Sequence, residues 1–397
     1  MPQPMVRGDG ALRILFLSND YAYFAAHRSN IVERLASLDA EMTIAGGNVE
    51  GDRMPFPGGS IPALPLPIDF RRLSPARDLA TLREIRRLIR RLEPDIVHSF
   101  TLKPNLFACL VCAWYRMIRG RAPSLVITFA GLGRAFRADE NILHATRNRL
   151  VRFALYALVE KAGAVVTCES ADDAATLTAA KIARPDRTIV TNGSGIDPRR
   201  YSSLPKAQAP LNAVFAGRLL RAKGAGLFLE LAQSAKLREF GWRFLVAGWA
   251  DSADPDSLSP EELNLAAAEG WLEWRGKLDA EEMGELLGQS HALCLPTAYN
   301  EGVPRILSEG ALCECAILTT EKGNRSSLVL DGETGFVLDA NPEAFETALV
   351  QLASDPARIA RMGRAARQRA VALGIDDRTV TDRFLEAYGL ARQPGPG

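Results

Sequence analysis

The sequence predicts an α/β protein made of two doubly wound domains. Two observations predict it. Short apolar strand candidates alternate with amphipathic helix candidates along the whole chain, a pattern that produces parallel sheets covered by helices on both faces. The alternation also comes in two blocks. The first holds RILFLS, MTIAG, DIVHS, LVITFA, AVVTC and TIVTN; the second holds NAVFAG, RFLVAG, LEWRG, ALCLP, AILTT and GFVL. Between them lies a Gly/Pro-rich polar stretch, GSGIDPRRYSSLPKAQAP (193–210). The expected division is therefore a domain over 1–195 and a domain over 196–377. A final segment, 378–397, is read as a helix to about residue 390 and a disordered PGPG tail.

The 397 residues suffice for two domains, each with its own core. At 47% hydrophobic and 24% charged, composition is that of a soluble globular protein. A net charge of +1 gives no bulk field that would draw nucleic acid. The charge is split, however. Residues 1–195 hold 26 Lys+Arg against 19 Asp+Glu, or +7; the rest hold 22 against 28, or −6. A basic front half suits an anionic membrane surface or an anionic lipid diphosphate, and scattered solvated arginines would look the same. Six irregularly spaced cysteines are too few for a disulfide framework, and neither close pair has a second CxxC for zinc. They read as buried, reduced thiols of a cytosolic protein. No signal peptide is expected, and the longest apolar stretch, 106–118, is too short to span a bilayer.

In open α/β sheets ligands bind beyond the carboxyl ends of the strands, so the loops after strands are where chemistry belongs. After HALCLP comes PTAYNEGVPRILSE, a strand–loop–helix start. Pro304 suits a first helical turn. The helix N-terminus near Gly302 and Val303 presents unpaired N–H groups to an anion. Glu301 precedes that terminus and Glu309 lies inside the helix, at most roughly 12 Å away. That spacing fits carboxylates gripping hydroxyls at the two ends of a diphosphate-linked molecule. It is too long for the paired acids of a retaining glycosidase, about 5 Å apart. After NAVFAG, ending at Gly217, comes GRLLRAKG with Arg218 and Lys223. Two cations on such a loop can clamp a diphosphate, the Arg as a fork and the Lys as a point charge.

These segments together resemble the family-4 retaining glycosyltransferases of the GT-B fold, in which two Rossmann-like domains face a central cleft. The resemblance implies that Glu301 contacts the donor sugar and Glu309 the nucleotide ribose. Arg218 and Lys223 would stabilise the departing diphosphate. Gly217, Gly248, Gly302, Val303, Pro304 and Arg305 would line the nucleotide-sugar site, and Lys277 and Leu278 would lie against the base. Gly323, Asn324 and Arg325 resemble a loop near the donor phosphates. Glu314 stands where relatives usually have glycine and reads as a solvent-facing replacement. The last helix is expected to cross back onto the first domain. HSFTLKP, TFAGLG, GSGID and EGVPR resemble a narrower bacterial branch, whose members place an N-acetylhexosamine on an undecaprenyl-diphosphate-linked sugar. By that resemblance the first domain reads the acceptor, through Asn19, His27, Arg28, His98, Lys103 and Gly131, with Gly133 nearby. One departure stands out. Many relatives have a histidine after the strand equivalent to LVITFA; here the place is Ala130-Gly131. His27 and His98 are the alternatives, unless they simply pack or cap.

The resulting expectation is a retaining transferase that moves a sugar from a nucleotide-sugar, UDP-linked by family habit, to a lipid-linked saccharide acceptor in surface glycan assembly. It would work in the cytoplasm or peripherally on the inner face of the plasma membrane. Front-face departure of the nucleoside diphosphate would let its own oxygen take the acceptor's proton. No metal and no cofactor beyond the donor are expected. A sugar-nucleotide epimerase on the same scaffold is one alternative, disfavoured because only four histidines exist and none sits beside an obvious carboxylate constellation. A non-catalytic lipid-glycan-binding subunit is another; it would have been free to lose Arg218, Lys223, Glu301 or Glu309. Donor sugar, base, acceptor and oligomeric state are not readable from the sequence.

Overall fold

A computed structural model describes residues 11–69, 74–132, 136, 142–251, 254–299, 302–324 and 327–393. The chain divides into two compact units, Met1–Gly195 with Arg378–Gly397, and Ile196–Asp377. The tail expected to be disordered lies outside the described residues from 394 onward.

The N-terminal unit runs β1 (Arg13–Ser18), α1 (Tyr21–Ala36), β2 (Glu41–Gly46), β3 (Arg53–Phe56), β4 (Gly59–Pro65) and α2 (Pro75–Leu92). It continues with β5 (Ile96–Phe100), α3 (Leu102–Arg119), β6 (Ser124–Phe129), α4 (Ile142–Lys161), β7 (Val165–Cys168), α5 (Ala171–Ala179) and β8 (Thr188–Val190). The sheet order is β3-β4-β2-β1-β5-β6-β7-β8, parallel except for the β3–β4 hairpin. The strands are apolar on both faces, as a sheet buried on both sides requires. Leu15 and Leu17 of β1 pack with Ile85 and Leu88 of α2 and with Phe107 and Cys112 of α3. Ile14 and Phe16, pointing the other way, pack with α1 and with Phe384 and Tyr388 of α13 (Asp377–Arg392).

Helix α2 contains the arginine-rich stretch REIRRLIRR, and its Ile85, Leu88 and Ile89 are buried. It is a core-facing helix with a solvated basic edge. Its Leu79 is exposed, and further exposed large apolar side chains lie on α3 (Leu110, Met117, Ile118) and α4 (Leu150, Phe153, Tyr156). Among the described residues no helix is long and apolar enough to cross a membrane. All six cysteines are free and buried.

The C-terminal unit runs β9 (Leu211–Ala216), α6 (Ala225–Gln233), α7 (Ala235–Glu239), β10 (Trp242–Ala247), α8 (Pro260–Ala268), β11 (Glu273–Trp274) and α9 (Ala280–Gly288). Then come β12 (Ala292–Leu295), α10 (Arg305–Leu312), β13 (Ala316–Thr319), β14 (Gly335–Val337), α11 (Pro342–Ser354) and α12 (Pro356–Leu373). The sheet is parallel, ordered β11-β10-β9-β12-β13-β14. Its order reverses between β9 and β12. Crossovers leave these two neighbours in opposite directions, which opens a crevice beyond their carboxyl ends.

Candidate functional site

The β9/β12 crevice is where the C-terminal unit concentrates polar, conformationally special residues. Gly217 and Gly248 end β9 and β10 with φ of 147° and 145°, and a Cβ on Gly248 would lie 1.8 Å from the Gly217 carbonyl oxygen. Only glycine allows the two loops to approach this closely. The backbone continues the ladder, with Gly217 N–H donating to Ala247 O at 3.0 Å and Gly248 N–H to Gly276 O at 2.7 Å.

The loop after β9 forms a single 3-10 turn, Arg221–Lys223, closed by Gly224. Asp256 holds it: the Ala222 N–H donates to Asp256 Oδ2 at 3.0 Å, and the Arg221 N–H to Asp256 O at 2.8 Å. Arg221 itself pairs with Glu262. On the other side the Ala298 N–H donates to Ala222 O at 2.9 Å, and Thr297 Oγ1 to the same oxygen at 3.3 Å. The basic loop and the loop after β12 are thus hydrogen-bonded to each other across the switch point. Arg218 is half-exposed and pairs with Asp254 at 3.3 Å, with Asp251 at 4.0 Å. An exposed ion pair of this kind contributes about 0.2–1 kcal/mol, so a diphosphate can displace it.

After β12, Pro304 caps α10 rather than opening its first turn. Glu309 is buried within that helix. Arg305 Nε donates to its Oε1 at 2.7 Å, and the buried Tyr201 hydroxyl hydrogen-bonds both side chains. Burial first, then the Glu309 carboxylate, pushes the Tyr201 phenol up, so it stays a neutral donor. Glu301 and Arg325 lie outside the described residues. Lys277 lies 5.8 Å over the half-exposed Trp249 ring, the one beyond β11 and the other beyond β10. Leu278 follows it in the same loop. Asn324 is spent on the backbone: its side chain both donates to and accepts from Val329, at 2.7 and 3.0 Å. Glu314 follows α10 with φ of 56°, the left-handed position that a glycine fills without cost. It is half-buried, not fully turned to solvent.

In the N-terminal unit the order reverses between β1 and β5. Asn19 follows β1, and its buried Oδ1 has no hydrogen-bond partner among the described residues. His27 is half-buried with its ring 4.9 Å from that of Tyr23. Arg28 is fully buried. Its Nη2 donates to Glu169 Oε1 at 2.5 Å and to the Tyr23 hydroxyl at 3.2 Å, and its guanidinium lies 5.1 Å over Phe100. Burial alone would lower its pKa, but Tyr23 and Glu169 more than offset this and hold it above the ordinary value. His98 is fully buried within β5, its ring nitrogens bonded to the Tyr388 hydroxyl (2.8 Å) and Thr128 Oγ1 (2.7 Å). Burial, then Arg28, keeps it neutral by lowering its pKa well below the usual value. With both nitrogens used, His98 serves an internal network. Lys103 pairs with Asp78 at 2.6 Å and donates to Asp69 O at 2.6 Å. Gly131 takes a left-handed φ of 79° after β6, and Gly133 lies outside the described residues. Among the described residues no group of three or more His, Cys, Asp or Glu is placed to hold a metal ion.

The fold is shared with solved glycosyltransferase structures. A sucrose-phosphate synthase from Thermosynechococcus elongatus superposes with a TM-score of 0.71 at 15% identity, covering 95% of this chain and 98% of that one. HepE from Anabaena, solved with UDP and glucose, superposes with a TM-score of 0.69 at 16% identity over 94% and 98%. Residues 25–193 match the glycosyl transferase 4-like domain, and residues 202–369 match glycosyl transferases group 1. The two glycosyl transferase domain models together span most of the chain, and its fold is GT-B. The chain is 29% identical to a D-inositol 3-phosphate glycosyltransferase of Streptomyces avermitilis, over 47% of its own length and 41% of the relative's. It is 27% identical to an alpha-maltose-1-phosphate synthase of Mycobacterium tuberculosis, over 45% of each. The chain thus spans about half the length of the curated relatives it matches.

Sequence reasoning passed over four residues that shape the two regions: Asp254, Asp256, Tyr201 and Glu169. Each acts by contact with a segment distant in sequence, so no spacing rule signals it. Trp249, directly after Gly248, carried a visible signal: an aromatic on a post-strand loop.

Proposed function

We propose that this glycosyltransferase transfers a sugar, an N-acetylhexosamine in our reading, from a UDP-linked donor to a lipid-diphosphate-linked saccharide, with retention at the anomeric carbon. The observation that carries the donor half is the joining of the Arg218–Lys223 loop to the Thr297–Tyr299 loop at the β9/β12 switch point. The diphosphate would rest between those cations and the α10 N-terminus, where charge develops as the bond to the sugar breaks. Glu309, oriented by Arg305 and Tyr201, would receive the ribose hydroxyls, and Glu301 the sugar. Trp249 and Lys277 offer a platform for the base. The leaving oxygen would take the proton of the acceptor hydroxyl arriving on the same face. The UDP complexes of HepE support the choice of base.

The acceptor half rests on the N-terminal unit and its resemblance to lipid-linked saccharide transferases. Exposed Leu150, Phe153 and Tyr156 on α4, in a unit rich in arginine, support peripheral attachment to an anionic membrane. A second acceptor class is favoured by the relatives named for D-inositol 3-phosphate: a soluble phosphorylated polyol.

The test begins with a thermal-shift screen of nucleotide sugars. The right donor at ~100 times its dissociation constant adds about 2.7 kcal/mol of stability. The selected donor is then offered a polyprenyl-diphosphate saccharide or inositol 3-phosphate. Transfer to the first alone supports the lipid-linked reading; transfer to the second alone replaces it; stabilisation by no nucleotide sugar removes the donor assignment.

A further inference from the structure

A second concentration of cations lies at the amino-terminal ends of central strands of the N-terminal sheet. A cavity of about 720 Å³ opens at the amino-terminal ends of β1, β5 and β6, below Asp95 and Ser124. Five guanidinium groups line it: Arg13, Arg90, Arg119, Arg121 and Arg392. They come from a strand, three helices and a loop, so no single sequence segment encodes the cluster. Among the described residues the carboxylates lining it are Glu93 and Asp95, which leaves a formal +3 for that lining. Both carboxylates pair weakly with Arg13, at 3.9 and 4.0 Å. Arg90, Arg119, Arg121 and Arg392 are exposed, and among the described residues none of the four has a carboxylate within ion-pair distance.

The simplest account of such arginines is helix termination. Arg90, Arg119 and Arg392 do fall in the last turns of α2, α3 and α13. Each helix C-terminus supplies roughly half a negative charge, so three of them offset about 1.5 of the three excess positive charges. Arg121 lies beyond α3 and Arg13 on a strand, where that account does not apply. Among the described residues the dipoles therefore leave a net positive field in an open recess, which attracts anions. Arginine forks match phosphate oxygens with paired hydrogen bonds. The volume exceeds that of one phosphate and accommodates two or more.

We propose that this cleft is a binding site for a phosphate-rich anion, separate from both switch-point regions. Inorganic pyrophosphate represents a soluble source of that chemistry, and phosphatidylglycerol vesicles represent a lipid one. The experiment uses the full chain and three variants: Arg90→Ala/Arg121→Ala, Arg119→Gln and Arg218→Ala. The substituted cleft arginines are exposed, and unchanged melting curves check folding. Pyrophosphate binding is followed by calorimetry and vesicle binding by sedimentation. Expected is a pyrophosphate dissociation constant raised about tenfold or more by the double variant and several-fold by Arg119→Gln. The same binding event survives Arg218→Ala. Vesicle binding lost with the double variant, with no pyrophosphate binding, assigns the cleft to lipid phosphates. If neither ligand's binding responds to the cleft variants, or if the pyrophosphate isotherm disappears only with Arg218→Ala, the proposal is overturned.

Discussion

A Cβ on Gly224 would lie 2.4 Å from the Pro296 carbonyl oxygen. That single close approach seats the basic loop after β9 on the end of β12. Gly224 also holds φ at 90°, a conformation an L side chain resists. Gly224→Ala should therefore lower stability by about 1–3 kcal/mol and part the two loops. In a thermal melt the C-terminal unit should lose several degrees, at about 2–4 °C per kcal/mol. Donor affinity should fall with it. A variant that melts and binds like the parent would show that the two loops do not depend on this contact.

Arg218→Ala and Lys223→Ala should each slow turnover by roughly 10²–10³, the size of effect seen when one donor to developing charge is removed. Steady-state transfer assays at saturating donor measure it. Turnover within threefold of the parent in both variants removes the diphosphate clamp.

Glu309→Gln should weaken nucleoside-diphosphate binding about tenfold or more, since a hydrogen bond to a charged group contributes about 1.5–3 kcal/mol. Glu301→Gln should chiefly slow transfer. Calorimetry with the nucleoside diphosphate separates the two. Affinity lost only in the Glu301 variant would reverse the direction in which the donor lies.

His98 gives the fold a dependence on pH. Its folded pKa is depressed well below 6.5 while its unfolded value is ordinary. Below pH ~6.5 the unfolded chain therefore binds a proton that the native chain refuses. The stabilisation is complete above that pH and is lost as pH falls toward the folded pKa, at up to about 1.4 kcal/mol per unit. Arg28 faces the same ring as a fixed positive charge, and Tyr388 and Thr128 hold it as neutral partners. Denaturant melts between pH 5 and 7.5 should show a shallower slope for His98→Gln than for the parent. Parallel slopes would mean that His98 titrates normally.

The exposed apolar face of α4 has its own test. Leu150→Ser/Phe153→Ser should abolish sedimentation with anionic vesicles while leaving transfer to a short water-soluble acceptor intact. Parent protein recovered equally with neutral and anionic vesicles, or with neither, would sink the attachment reading.

Much of this was legible in the sequence because the signals were local. The chosen strand runs all lie on strands, since a sheet buried on both faces demands continuous apolar segments. The β3–β4 hairpin is not legible because RMPFPGGSIPALPLP is broken by prolines, which argue against a strand; Pro55 lies on the edge strand β3, but Pro62 and Pro65 lie on β4, which pairs on both sides. The basic loop and the PTAYNEGVPRILSE loop could be placed because each follows a strand directly. Their mutual hydrogen bonds, the Arg218–Asp254 pair and the Tyr201–Glu309 contact could not, since those depend on how crossovers bring distant segments together. His98 shows the limit in the other direction. Its position near a strand end pointed to a ligand contact, whereas its side chain turns inward to Tyr388, 290 residues later.

That late partner bears on how the chain is made. Phe384, Tyr388 and Ala391 close one face of a sheet whose strands all precede residue 195. Synthesis runs from the amino end at about 5–20 residues per second, so the part of this face that α13 covers, beside α1, stays open while Ile196–Asp377 is being added. The second unit, continuous in sequence, emerges able to fold before the first is finished. Nascent chains arrested before Arg378 should leave the earlier unit open to protease and to chaperones that hold apolar surface, while the later one already resists cleavage.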